Sequence, residues 1–279
     1  MSSVAPAETL HALRRIVADL SSLPGEKARL IRLGVPSLDQ ALCGGLACGA
    51  LHEISPAPAL HGGAATGFVL ALLALALGAG GKCSQASGRY WQAGRASRGG
   101  SGQRQAVWIQ PDFTAAEAGD LYGPGLDLIG LPMECLIILR VSHPRDALWA
   151  MEEALKCRAA GAVVAELASA DTDLATTRRL ALAAHEGGGL GLVLRHSACT
   201  RPSTAMTRWE VGSARGERDR FGGLGPATFA LSLVKNRRGR TGQWRLSWNH
   251  HERAFAVSVL PVPVAPAARD GSPPRLCAG

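Results

Sequence analysis

The chain has 279 residues, 47% of them hydrophobic, which suits one α/β domain with appendages better than two full domains. Its net charge of +8 favours nucleic acid or an acidic protein as partner, because clustered Lys and Arg steer and hold polyanions. The cysteines, Cys43, Cys48, Cys83, Cys135, Cys157, Cys199 and Cys277, are odd in number and lack CxxC spacing, which argues against a disulfide framework or a zinc site and for reduced thiols.

Residues 1–25 read as an amphipathic helix and a linker. Leu10, Leu13, Val17 and Leu20 recur at helical spacing, and Ser21 to Gly25, with Pro24, stops the helix. This element could pack on its own core or on a partner. Glu8, Arg14, Arg15 and Asp19 interrupt any apolar run of the kind a signal peptide needs. Phe68 to Leu77, the most apolar run, is too short to cross a bilayer. The expectation is a soluble cytoplasmic protein with no membrane partner.

Residues 26–260 read as the main body. Leu33 to Ile54 parses as a short helix with Ser37 and Asp39 at its start, a turn at Gly44-Gly45, and a strand ending near Ile54. A loop from Ser55 to Thr66 precedes a helix from Gly67 to Gly78 that is apolar on all sides and therefore belongs in the interior. Residues 80–105 are rich in Gly, Ser and Arg, with Tyr90 and Trp91 as the large side chains, and read as an insertion loop.

Ala106 to Ile109, Leu136 to Leu139, Ala162 to Leu167 and Gly191 to Leu194 read as buried strands. Helical text lies between them at Thr114 to Tyr122, Pro144 to Arg158 and Asp173 to His185. Unbroken apolar strands alternating with helices imply a largely parallel, doubly wound α/β sheet. Past Arg201, the segments Thr207 to Val211, Thr228 to Lys235, Gln243 to Asn249 and Ala254 to Val259 read as antiparallel strands that extend it. Residues 261–279, rich in proline, read as a disordered tail.

Ligands of open α/β sheets bind outside the carboxyl ends of the strands. The first such loop, Ser55 to Gly67, stands where a phosphate loop would grip nucleotide with backbone N–H groups, a Lys and a Ser or Thr hydroxyl. It contains no lysine, and Pro56 and Pro58 remove donors. His61, Gly62, Gly63, Thr66 and Gly67 are its degenerate nucleotide-loop positions, able at most to receive a phosphate weakly at the helix start; a tight turn of small residues beside a buried helix is the better account of them. No bound cofactor or metal and no catalytic residue is expected.

Two vestigial acids accompany the loop. Glu166 ends a strand where a magnesium-holding carboxylate would sit, and Asp112 follows a strand where a water-activating acid would. Without the lysine, both read as exposed strand-end acids that cap the next turn or pair with Arg. His196, His250 and His251 match no Cys or acid at ligand spacing. Lys235, Arg237, Arg238 and Arg240, with Trp244 and Trp248 nearby, form the densest basic cluster, either a DNA or partner contact or a solvated turn.

Several blocks in this order resemble the ImuA family of bacteria: Gly34 to Asp39 with Gly44-Gly45-Leu46, Gly49 to Ile54, Val107 to Asp112, Ala162 to Glu166 and Val234 to Gly242. The resemblance covers Leu30 to Asn249. It implies a RecA-like core that acts in damage-induced mutagenesis during the SOS response, beside an ImuB-type inactive Y-family polymerase homologue. RecA and, indirectly, an error-prone DNA polymerase are further implied partners. The loop from Ser55 to Gly67 falls where RecA keeps its nucleotide-binding lysine and departs from it, so no ATP-binding residue carries over. The expected function is a non-catalytic accessory protein of translesion synthesis. A weak RecA-type ATPase and a SulA-like inhibitor of cell division are the alternatives.

Overall fold

A computed structural model describes residues 29–57, 61–78, 104–167, 172–218 and 221–258. The amphipathic helix and linker expected over residues 1–25, most of the expected insertion at 80–105 and the expected tail at 261–279 lie outside these described residues.

Two short strands, β1 (Leu30–Ile31) and β2 (Leu46–Ala47), pair antiparallel around helix α1 (Pro36–Ala41). Ser37 and Asp39 lie in the first turn of α1 as expected; the N-cap itself is Val35, and the Asp39 carboxylate accepts from the backbone N–H groups of Leu33 and Gly34. Gly44-Gly45 does end this unit. Gly45 has φ +137°, and a Cβ there would lie 2.6 Å from the Ile31 carbonyl oxygen, so only glycine allows the turn and the close approach together.

The main sheet begins with β3 (Ala50–Pro56), buried along its whole length, followed by helix α2 (Gly62–Gly78). α2 starts five residues before the sequence reading placed it, because Gly62 to Thr66 are small and nothing in them blocks the helical turn. Then come β4 (Gln105–Pro111), α3 (Asp112–Ala118), α4 (Gly123–Ile129), β5 (Leu136–Val141), α5 (Pro144–Lys156), β6 (Ala160–Glu166), α6 (Leu174–Gly187) and β7 (Leu190–Leu194). The chain ends its described part with β8 (Thr207–Ser213), β9 (Thr228–Asn236), β10 (Gly242–Asn249) and β11 (Ala254–Val257).

The nine-stranded order is β11-β10-β9-β8-β3-β7-β6-β4-β5. The strands from β8 to β5 run parallel to one another, and β9, β10 and β11 continue antiparallel. β8 was expected among the antiparallel strands; it is parallel to β3 and turns the sheet antiparallel only through its other neighbour, β9. The α/β, mostly parallel sheet with antiparallel carboxyl-terminal strands is as the sequence predicts.

Strand alternation divides the core. Ile54, Trp108, Val164 and Leu192 face α2, whereas Leu51, Ile109, Val163 and Val193 face α5 and α6. α2 lacks a polar face because it is covered on both sides: Phe68 packs against Trp209, Phe229 and Phe255 with ring centroids 5.7, 6.1 and 5.7 Å away. Among the described residues no helix is long and apolar enough to cross a membrane.

One expectation fails informatively. Leu136 to Leu139 was read as a buried strand, yet β5 is the last strand of the sheet, and Ile137, Ile138 and Leu139 are exposed. An apolar run predicts a strand; its place in the sheet order decides whether neighbours cover it.

Candidate functional site

The carboxyl ends of β3, β4, β6 and β7 bring the sequence-predicted loop and acids to one edge of the sheet. At the end of β3, Gly62 and Gly63 lie in the first turn of α2, where a Cβ on either would meet no atom within 4 Å. His61 precedes them, and its Nδ1 accepts a 2.6 Å hydrogen bond from the Ser213 backbone N–H, with Ser213 Oγ at 3.0 Å. The ring therefore ties the helix start to the end of β8. Thr66 is half-buried on the next turn. Gly67 has a packing role: a Cβ there would press at 3.4 Å on the Phe229 ring.

An open cleft of about 1580 Å³ lies beside this helix start, lined among others by Gly63, Gly67, Arg215, Arg218, Phe229 and Trp248.

Glu166 is not the exposed strand-end acid that the sequence suggested. It is buried, with Oε1 accepting from the Trp108 indole N–H at 2.6 Å and Oε2 lying 2.9 Å from His196 Nε2. His196, which sequence spacing left without an acidic partner, reaches Glu166 because β6 and β7 are neighbours with Glu166 opposite Leu194. Asp112 is exposed, as expected, in the first turn of α3, and accepts from Ser142 Oγ at 3.1 Å. Among the described residues no three His, Cys, Asp or Glu side chains cluster as a metal site would require.

The basic hairpin between β9 and β10 is docked rather than solvated. Asn236 Nδ2 and the Arg240 N–H both donate to the Ala41 carbonyl at the end of α1, and the Cys43 thiol donates to the Arg238 carbonyl. Lys235 donates to the Ser203 carbonyl at 2.6 Å, and Arg237 to that of Thr204 at 3.3 Å. Burial, aided by the neighbouring charge of Arg208, holds the Lys235 ammonium below the usual lysine range. Trp248 is buried and donates to the Ile129 carbonyl, which removes it as a stacking platform, whereas Trp244 is half-buried with its indole donating to Ser37 Oγ. Arg237 and Arg240 remain exposed, and Arg238 is half-buried.

Beneath this hairpin lies a charge cluster that the sequence reading missed. Glu53, in the middle of β3 and 1% exposed, accepts from Arg195 at 2.8 Å, from Arg208 Nε at 2.8 Å and from Ser203 at 2.9 Å. Arg195 also donates to Thr172 Oγ1. Burial alone would raise the Glu53 carboxyl; hydrogen bonds and charge from Arg195, then Arg208, outweigh it and leave the group below the ordinary glutamate value. A glutamate inside a strand read as buried was the available signal, since a buried charge requires a partner. The cluster pins the segment between β7 and β8 against β3.

No protein-family profile matches the chain. It is 30% identical over 231 residues to Protein ImuA of Caulobacter vibrioides, in two strains of that organism, an alignment covering 78% of this chain and 82% of the relative. The aligned share is about four-fifths of both chains, so the chain belongs to the ImuA family.

Proposed function

We propose that this protein is a non-catalytic, RecA-like accessory protein of damage-induced mutagenesis, binding an ImuB-type inactive Y-family polymerase homologue and RecA in support of error-prone translesion synthesis. Family membership supports the pathway. The parallel order β8-β3-β7-β6-β4-β5, with a glycine-opened helix leaving the central β3, supports a RecA-like core.

The observation that carries the non-catalytic reading is the state of the loop and its acid. Where a phosphate-binding lysine is needed, the chain has His61-Gly62-Gly63, with His61 bonded to Ser213. Glu166, the acid in the magnesium-holding position, spends both carboxylate oxygens on Trp108 and His196. Such a site serves architecture: it welds β4, β6 and β7 together at the end where a motor would hold nucleotide. Arg237 and Arg240, the exposed guanidinium groups of the hairpin, are the residues best placed for DNA, since Lys235 and Trp244 are half-buried.

The experiment is ultraviolet-induced mutation frequency to a resistance marker in the native host, with and without the gene. A collapse to the undamaged background upon deletion, restored by a Glu166→Gln copy, is the expected result. Unchanged frequency upon deletion removes the pathway assignment. Magnesium-dependent ATP hydrolysis by the purified chain that Glu166→Gln abolishes would replace the accessory reading with an enzymatic one. Normal cell length on overexpression separates the protein from division inhibitors.

A further inference from the structure

Among the described residues β5 ends the sheet, and the one charge on it, Arg140, is the device it keeps to protect that edge. Its six residues pair with β4 in unbroken register with no bulge, and contain neither proline nor lysine. Ile137, Ile138 and Leu139 are 47%, 45% and 39% exposed, whereas β3, β6 and β7 are buried throughout. Ile137 and Leu139 stand opposite Val107 and Ile109, on the α5 face, and Ile138 stands opposite Trp108, on the α2 face. Both faces of the edge thus present apolar side chains, beside the single charge of Arg140, which Asp120 takes up. The other end of the sheet, β11, is only four residues long and offers a much shorter template.

The charge around this edge is opposite to that of the chain. Residues 112–146 hold six Asp or Glu and two Arg, in a protein of net charge +8. Glu134, exposed, stands just before β5; at its far end are exposed Asp112, bound by Ser142, and Asp120, paired with Arg140. Pairing two copies edge to edge would set one acidic flank beside the other. A strand of opposite flanking charge meets no such penalty.

We infer that β5 is a docking edge that takes a tenth strand from another protein: an extended segment with apolar side chains on both faces and basic residues at its ends. Backbone N–H and C=O groups on the outer side of β5 supply the ladder, Ile137, Ile138 and Leu139 supply the apolar contact, and the acidic flanks select for lysine or arginine. This mode of binding is independent of the mutagenesis reading, since it rests on the edge alone.

The test uses the full chain and a short synthetic peptide of valine and isoleucine ended by lysines, followed by fluorescence polarisation and amide hydrogen exchange. Binding that weakens with salt and protects the amides of residues 136–141 is expected, with about tenfold or greater loss when the peptide backbone is N-methylated, when its lysines become glutamates, or in Ile138→Lys. Because Ile138 is exposed, that variant should keep the wild-type melting temperature; if it does not, the N-methylated peptide decides on the unaltered protein. Equal binding of the N-methylated or glutamate-ended peptide, or unprotected β5 amides, overturns the inference. So does a dimer of the free chain that Ile138→Lys dissociates, because the occupant is then a second copy.

Discussion

Trp108 on β4 donates its indole N–H to Glu166 Oε1 across the β4–β6 pair, at 2.6 Å and out of contact with solvent. His196 holds the other oxygen from the far side, at the mouth of the site. One carboxylate therefore joins three neighbouring strands, and its two partners differ in burial. The inner bond has no water to replace it, whereas the outer one does.

That asymmetry predicts unequal costs. Trp108→Phe leaves Oε1 buried without a donor, and this loss alone destabilises the fold by about 1–3 kcal/mol. His196→Gln, at a half-exposed position, costs under about 1 kcal/mol. Urea denaturation of the two variants against the parent checks the order.

Glu53 compensates Arg195 and Arg208, so Glu53→Ala leaves two guanidinium groups facing each other in a dry site. A loss of about 3–5 kcal/mol is expected, measured by chemical unfolding at neutral pH. The carboxyl lies below its ordinary value of 4.5 in the folded state, so its contribution is complete above pH 4.5 and disappears as the pH falls through the folded value. The stability of Glu53→Ala should accordingly change less with pH below 4.5 than that of the parent.

His52 titrates in a different window. It is fully buried on β3, with Nδ1 2.8 Å from Thr207 Oγ1 and Nε2 2.9 Å from the Ala47 carbonyl. Burial lowers its pKa from 6.5 to about 4, against the raising effect of the Ala47 carbonyl. The folded state thus refuses a proton that the unfolded chain accepts, and stability is retained above pH 6.5 and lost progressively down to about pH 4. The loss amounts to about 3 kcal/mol at about 1.4 kcal/mol per pKa unit. Unfolding free energies across that range should flatten in His52→Gln.

Two glycines discriminate packing from ligand binding. At Gly239 a Cβ would run into the Ala41 carbonyl oxygen, so Gly239→Ala lifts the basic hairpin off α1 and destabilises by about 1–3 kcal/mol. At Gly63 a Cβ meets nothing within 4 Å, and Gly63→Ala in the first turn of α2 is neutral or stabilising by up to about 1 kcal/mol. If the helix start binds no phosphate, Gly63→Ala also restores mutagenesis to a deletion strain fully; a loss of complementation with stability intact would show that the open backbone there is used.

The sequence by itself determined the α/β class and the chain order of the nine main-sheet strands, though not α4 or the small β1–β2 pair. Apolar runs such as Ala162 to Glu166 must be strands buried on both faces, and the absence of a polar face on α2 places it inside, because period and polarity are local properties. The missing lysine between Ser55 and Gly67 is likewise a matter of text. What only the tertiary structure decided is partnership. Glu53 finds Arg195 and Arg208 from 142 and 155 residues away, and Glu166 finds His196 through the adjacency of β6 and β7. The same apolar pattern produced a buried β7 and an exposed β5, since strand order, set by non-local pairing, determines which hydrophobic segment is left at the edge.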